Sequence, residues 1–155
     1  MRRNIAAALA GIGIVLALVA TPAAAAPRDL FGLTKGKQAL DAQDLNTIHS
    51  AGVRTFRFVL DWSITQPNQG APPNFAAVDA RVGSLAAHGI RPLPFVYGSP
   101  SWISKQPNRP PLGSPRKQRA WRQFLAAAVT RYGPGGTYWT DHPGISPKPI
   151  TAWQI

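Results

Sequence analysis

The chain has 155 residues and a formal net charge of +11, set by 17 Lys and Arg against six acidic residues, all of them Asp. It contains no Cys, which excludes a thiolate nucleophile, a Cys metal site and disulfide stapling, so stability has to come from core packing. The positive charge is spread along the sequence; its densest patch, Arg116, Lys117, Arg119 and Arg122, falls where a helix should start. Such a patch is either a solvated helix face or a place where phosphate or an anionic cell-wall polymer binds.

The first segment reads as an export signal over residues 1–25. Met1-Arg2-Arg3-Asn4 supplies positive charge, Ile5 to Ala20 an uncharged apolar run, and Ala23-Ala24-Ala25 a small-residue cleavage site. The apolar run is shorter than the roughly 20 residues of a spanning helix, and Pro22 and the Ala cluster follow it, so no stable membrane insertion is expected after cleavage. A secreted, extracellular or cell-wall-associated product follows, and nucleic acid is disfavoured as a partner. Without Arg2 and Arg3 the mature part, residues 26–155, keeps a charge of +9 and is long enough for one domain.

Beyond the leader, helical and strand periodicities alternate. Leu30 to Thr34 fits a first strand. Leu40, Leu45, Ile48 and Ala51 fall near helical spacing with Gly52 as stop, and Val53 to Leu60 is an unbroken β-branched and aromatic run. Phe75, Val78, Val82, Leu85 and Ala86 then share a helical face behind Asn74 as N-cap and before Gly89, and Ile90 to Tyr97 forms the next strand. The junctions Ala51-Gly52-Val53-Arg54 and His88-Gly89-Ile90-Arg91 repeat one another 37 positions apart, a spacing that suits one βα unit. After a Pro-rich loop from Gln106 to Pro115, Trp121, Leu125, Ala128, Val129 and Tyr132 carry a third helix that closes at Gly133, and a last strand starts near Ile150. The order β, αβ, αβ, αβ predicts an α/β fold in which about four parallel strands and three helices are joined by right-handed crossovers. Pro92 and Pro94 both lack an N–H on one side of their strand, which should pair loosely at its start.

Were the parallel sheet closed into a barrel, chemistry would gather where strands run out into the loops that follow them. Alternation puts Phe56, Phe58 and Leu60 on the helix-facing side and Thr55, Arg57, Val59 and Asp61 inside the barrel. A buried Arg57 needs an anionic or multiply accepting partner. Asp61 is the local candidate, and a structural salt bridge at the barrel rim is the alternative; Arg54 falls on the other parity and belongs on the surface. Trp62, Tyr97 and Trp102 gather near the strand ends, where aromatic planes suit the C–H face of a pyranose, although aromatics at such positions also serve as core. Trp121 and Trp139 are assigned to packing, His49 and His88 to the surface or rim, and His142 beside Asp141 makes neither a metal site nor a triad. The acids are Asp29, Asp41, Asp44, Asp61, Asp79 and Asp141, with no Glu. Of these, Asp41, Asp44 and Asp79 sit on helices away from any site and only Asp61, with Asp141 a weaker candidate, could reach one, so a complete carboxylate pair is not expected.

Gly52-Val53-Arg54-Thr55-Phe56-Arg57-Phe58-Val59-Leu60-Asp61-Trp62 resembles the second-strand segment of the clan of retaining TIM-barrel glycoside hydrolases, in particular its β-xylosidase-like and cellulase-like members. Arg91 to Pro100 resembles their third strand and loop, and Arg131-Tyr132-Gly133-Pro134-Gly135-Gly136 their third-helix exit. Pro149-Ile150-Thr151-Ala152-Trp153-Gln154-Ile155 resembles the run-in to the fourth strand, just short of the Asn-Glu-Pro triplet that supplies the general acid/base. The resemblance implies the N-terminal half of a (β/α)8 TIM barrel, cut at the fourth strand, from an enzyme that hydrolyses O-glycosidic bonds of oligo- or polysaccharides by a retaining two-carboxylate mechanism without metal or organic cofactor. It also implies that Arg57 helps hold the nucleophilic carboxylate and that Trp62 and Trp102 fall where substrate contacts are common. On this basis Arg57, Asp61, Trp62, Tyr97 and Trp102 are expected to bind substrate and no residue of the chain to be catalytic. The rival expectation is a non-catalytic secreted carbohydrate-binding or cell-wall-associated protein using the same aromatics.

Overall fold

The computed structural model describes residues 32–34 and 40–155; the export signal expected over residues 1–25 lies outside the described residues. Eight elements follow in order: β1 (Gly32–Thr34), α1 (Ala42–Ser50), β2 (Thr55–Asp61), α2 (Trp62–Thr65), α3 (Ala76–Ala87), β3 (Arg91–Tyr97), α4 (Pro115–Tyr132) and α5 (Thr137–Asp141). Their ends have local causes. Asp41 and Asp44 form a capping box at the start of α1, with the Asp44 N–H donating to Asp41 Oδ1 at 2.7 Å. The Ser114 side chain accepts from Lys117 N–H ahead of Pro115, an N1 proline whose missing N–H costs nothing. Gly52 and Gly89 both take positive φ, +84° and +70°, which gives the repeated junction its turn from helix into strand. The α3 cap falls one residue later than expected: Phe75 holds the N-cap position, and Asn74, tied back by its own N–H to Thr65 O at 2.7 Å, instead accepts from Ala76 N–H. The helices α2 and α5 are too short to carry a periodic signature and were not anticipated.

The described strands form one parallel sheet in the order β1-β2-β3, with β2 and β3 in continuous register from Thr55↔Arg91 to Asp61↔Tyr97. The fourth strand does not form at the expected length. The final run meets β3 only through a parallel bridge between Phe95 and Gln154. The prolines explain both observations. Odd-numbered residues of β3 turn their backbone groups toward β2, as Arg91 N–H does by donating to Arg54 O at 2.7 Å. Even-numbered ones face the final run, where Pro92 and Pro94 have no N–H to give. Pairing there starts only when Gln154 N–H donates to Pro94 O at 3.0 Å and Val96 N–H donates to Gln154 O at 2.8 Å. The looseness expected of this strand is thus confined to one edge.

Helices cover one face of the sheet. Phe56, Phe58, Leu60, Pro94 and Val96 point into a core shared with Val82 and Leu85 of α3 and with Trp121, Phe124, Ala128 and Tyr132 of α4. On α4 the apolar stripe runs through Phe124, while Val129, expected inside, is exposed. The opposite face carries Thr55, Arg57, Val59, Asp61, Leu93, Phe95 and Tyr97, none of them buried; Val59 is 48% and Tyr97 38% exposed. Among the described residues no helix is long and apolar enough to cross a membrane.

One polar cluster locks α3 to α4. Arg131 grips Asp79 bidentately, Nε to Oδ1 at 2.7 Å and Nη2 to Oδ2 at 2.5 Å, and the buried Tyr132 hydroxyl donates to Asp79 Oδ1 at 2.6 Å. Burial foremost, then the hydrogen bond to Asp79, pushes the Tyr132 hydroxyl well above the usual tyrosine range, with Arg131 opposing. The folded state therefore holds this proton more tightly than the unfolded chain does. Its contribution is complete below the unfolded value of about 10 and is lost as pH climbs from there toward the folded value. Tyr132→Phe is expected to cost about 1 kcal/mol near neutrality. Above about pH 10 it should remove up to about 1.4 kcal/mol per pH unit from the alkaline loss of stability. Urea unfolding of both proteins across that range checks this, and identical alkaline slopes would refute it.

Candidate functional site

The carboxyl ends of β2 and β3 lie side by side, and each ends in a turn that fixes what it presents. Asp61 closes β2 and at once caps α2: its Oδ1 accepts from Ser63 N–H at 2.9 Å, from Ser63 Oγ at 2.6 Å and from Ile64 N–H at 3.4 Å. Gly98, just beyond β3, has a φ of +79°, and a Cβ there would collide with the Asp61 carboxylate. Only glycine both reaches that conformation cheaply and leaves the carboxylate its place.

Arg57 does not pair with Asp61. Four residues along a strand separate them by about 13 Å, and Asp61 is already engaged by its own helix. The guanidinium instead reaches sideways across the sheet. It lies 4.5 Å from the centre of the Phe95 ring, and Nε donates to Gln154 Oε1 at 2.5 Å. In place of the expected anion the half-buried Arg57 thus has one amide acceptor combined with a cation–π contact. Tyr97 continues the strip, its ring 5.9 Å from that of Phe95.

Trp62 belongs elsewhere. The chain passes from β2 straight into α2, which rolls residue 62 onto the helix-facing side, where it is 0% exposed. Phe124 stacks on it at 5.1 Å, Trp121 lies tilted against it at 5.3 Å and Trp102 meets it edge to face at 5.7 Å, and its indole N–H donates to Gln66 Oε1. No face of the ring is left for a sugar, so Trp62 is a core residue. Trp102 is half-buried, its N–H donating to Gln66 O at 3.1 Å, and it lines a cleft separate from the Arg57 strip.

The structure thus brings Arg57 and Tyr97 onto one face with Asp61, sets Trp102 apart and removes Trp62. Phe95 and Gln154 were missed. Parity alone could have found Phe95, which shares the odd-numbered face of its strand with Tyr97. Gln154 needed the register of the final run, which the sequence does not specify. Trp121 and Trp139 are buried as assigned, and the His88 and His142 rings are each tied to a backbone carbonyl four residues earlier. Among the described residues no three His, Asp or Glu side chains gather as a metal site would require.

Parallel strands joined by helices that cover one face define an α/β fold of the partial (β/α)8 type. Among solved structures the chain is similar to a family 39 glycoside hydrolase from the gut symbiont Bacteroides cellulosilyticus WH2, with a TM-score of 0.56 and 19% identity. The match covers 82% of this chain and 24% of that one, so the chain spans about a quarter of the length of the enzyme it resembles. At that identity the likeness is one of fold. No family model and no curated protein matches the chain.

Proposed function

We propose that the chain is part of a secreted retaining glycoside hydrolase acting on oligo- or polysaccharides, with Arg57 and Tyr97 on the inner wall of its sugar site. The observation that carries this is the contact of Arg57 with Phe95 and Gln154. It puts an obligate cation on the face that a closed barrel turns inward, beside the strand that in the resembling enzymes leads to the acid/base carboxylate. Similarity of fold to a family 39 glycoside hydrolase supports the same assignment. In that chemistry one carboxylic acid protonates the leaving oxygen while a carboxylate attacks the anomeric carbon. Water then releases the covalent intermediate. Arg57 acts here as a positioning residue, holding the nucleophilic carboxylate ionised and aimed; Asp61 supports the wall through its cap on α2, and the leader over residues 1–25 supports export.

The test is the protein translated through its own reading frame past Ile155, assayed on aryl glycosides with the product anomer followed by proton NMR. Retention of configuration is expected. Arg57→Gln should lower kcat by about 10²-fold, on the scale of losing one electrostatic stabiliser, with KM little changed, and Arg57→Lys should recover part of it. Inversion, or an Arg57→Gln enzyme of full activity, would sink the proposal. One feature favours the rival, a non-catalytic polysaccharide-binding protein: the chain contains no Glu. A reading frame that adds neither Asn-Glu-Pro nor a second Glu would decide for it.

A further inference from the structure

Away from the inner face, a cleft of about 510 Å³ opens between the segment after α2, the loop after β3 and the first turns of α4. Its lining combines three chemistries. Arg116 and Arg119 stand one turn apart on α4 and both border it. Arg116 Nη2 donates to Gln69 Oε1 at 3.2 Å, whereas Arg119 has no hydrogen-bond or ion-pair partner among the described residues. No carboxylate among the described residues borders the cleft. Trp102 supplies an aromatic plane, and its ring is held: the N–H is fixed to Gln66 O, and one edge is braced against Trp62. Gln69 and Gln123 add amides at the rim.

A second recess, of about 520 Å³, shares Trp102 and Ile103 with the first and is bordered by Lys105 and Lys117, again without a carboxylate among the described residues. One tryptophan therefore borders both recesses, each with cations that no carboxylate among the described residues neutralises. Cations at a few-residue spacing suit a repeating anion, an aromatic plane suits the C–H face of a pyranose, and amides suit hydroxyls.

We propose that this double cleft binds a carboxylate-bearing polysaccharide, with Arg116 and Arg119 taking uronate carboxylates and Trp102 stacking on the sugar ring between them. This names a glycan class for the protein and so rests on the glycosidase assignment only for its context, since the binding is read without any hydrolysis.

The experiment is calorimetric titration of the 155-residue chain at 150 mM NaCl, where exposed charges beyond about 8 Å are screened. The probes are hexagalacturonate, xylohexaose, polyphosphate of matched charge and oligo(dT). Hexagalacturonate should bind most tightly. Arg116→Gln with Arg119→Gln should weaken it at least about tenfold, the scale of one lost charge-assisted contact, and Trp102→Leu by a similar factor. Arg122→Gln, on the same helix but bordering neither recess, should leave it unchanged. These side chains are exposed or half-buried, and circular dichroism separates lost binding from lost folding. No binding, equal binding of xylohexaose, equal binding of polyphosphate or oligo(dT), or an equal loss with Arg122→Gln would each overturn the proposal. The two proposals fail separately: lost binding here leaves the inner-face chemistry untouched, and an inactive extended protein leaves this titration as it is.

Discussion

Trp62→Ala is expected to lower the stability of the folded chain by about 3–5 kcal/mol, the usual cost of truncating a buried Trp. Trp62 is the largest fully buried side chain among the described residues, and three aromatic rings close around it within 6 Å. The surroundings cannot collapse onto the space it leaves, because Phe124 and Trp121 are fixed on α4 and Trp102 is held to Gln66. The variant also deprives Gln66 Oε1 of its donor, in a part-buried setting where an orphaned acceptor adds to the loss. For a domain of this size the midpoint of thermal unfolding should fall by roughly 10–20 °C, and Trp62→Phe, which keeps the stack on Phe124, by much less. Differential scanning calorimetry decides the matter. A Trp62→Ala protein that melts like the parent but loses affinity for a glycan would return Trp62 to the substrate wall.

That the sequence pointed Trp62 at the wrong place is instructive. Alternation along β2 was legible because seven residues of strand separate Phe56, Phe58 and Leu60 from Arg57 and Val59 without a break. Alternation ends where the strand ends. The four residues of α2 turn the chain at once, and a single helical turn leaves no periodic trace, so Trp62 was carried along as if the strand ran on. The same turn recruited Asp61 as a cap and left Arg57 without its nearest anion. The repeated βα junctions were legible for the opposite reason: a helix stop at a glycine followed by a β-branched run is local chemistry, and it occurs twice. The final strand failed because its length depends on the edge it joins, where two prolines withhold their donors. The cleft beside Trp102 illustrates the remaining gap. Arg116 and Arg119 were visible as a basic patch, but nothing local says that a loop starting at Gln66 folds over to meet them.

The 155-residue chain itself is expected to release no sugar from any glycan or aryl glycoside, at the sensitivity of overnight assays with reducing-end detection. Retaining hydrolysis needs two carboxyl groups about 5–5.5 Å apart, one ionised and one protonated, both facing the anomeric carbon. With no Glu, only Asp can supply them. Asp41 and Asp44 cap one another's backbone at the start of α1. Asp79 is held by Arg131 and Tyr132 on the helical layer, and Asp141 lies out on α5 near the same arginine. Among the described acids only Asp61 reaches the strand ends, and three donors from α2 fix its Oδ1 as a helix cap. One carboxylate can polarise a bond but cannot both donate the proton and attack the carbon in the same step. Hydrolysis by this chain that disappears in Asp61→Asn would show that a second acid, Asp29 outside the described residues included, completes a site here. The assignment of the chemistry to carboxylates beyond those described would then be wrong.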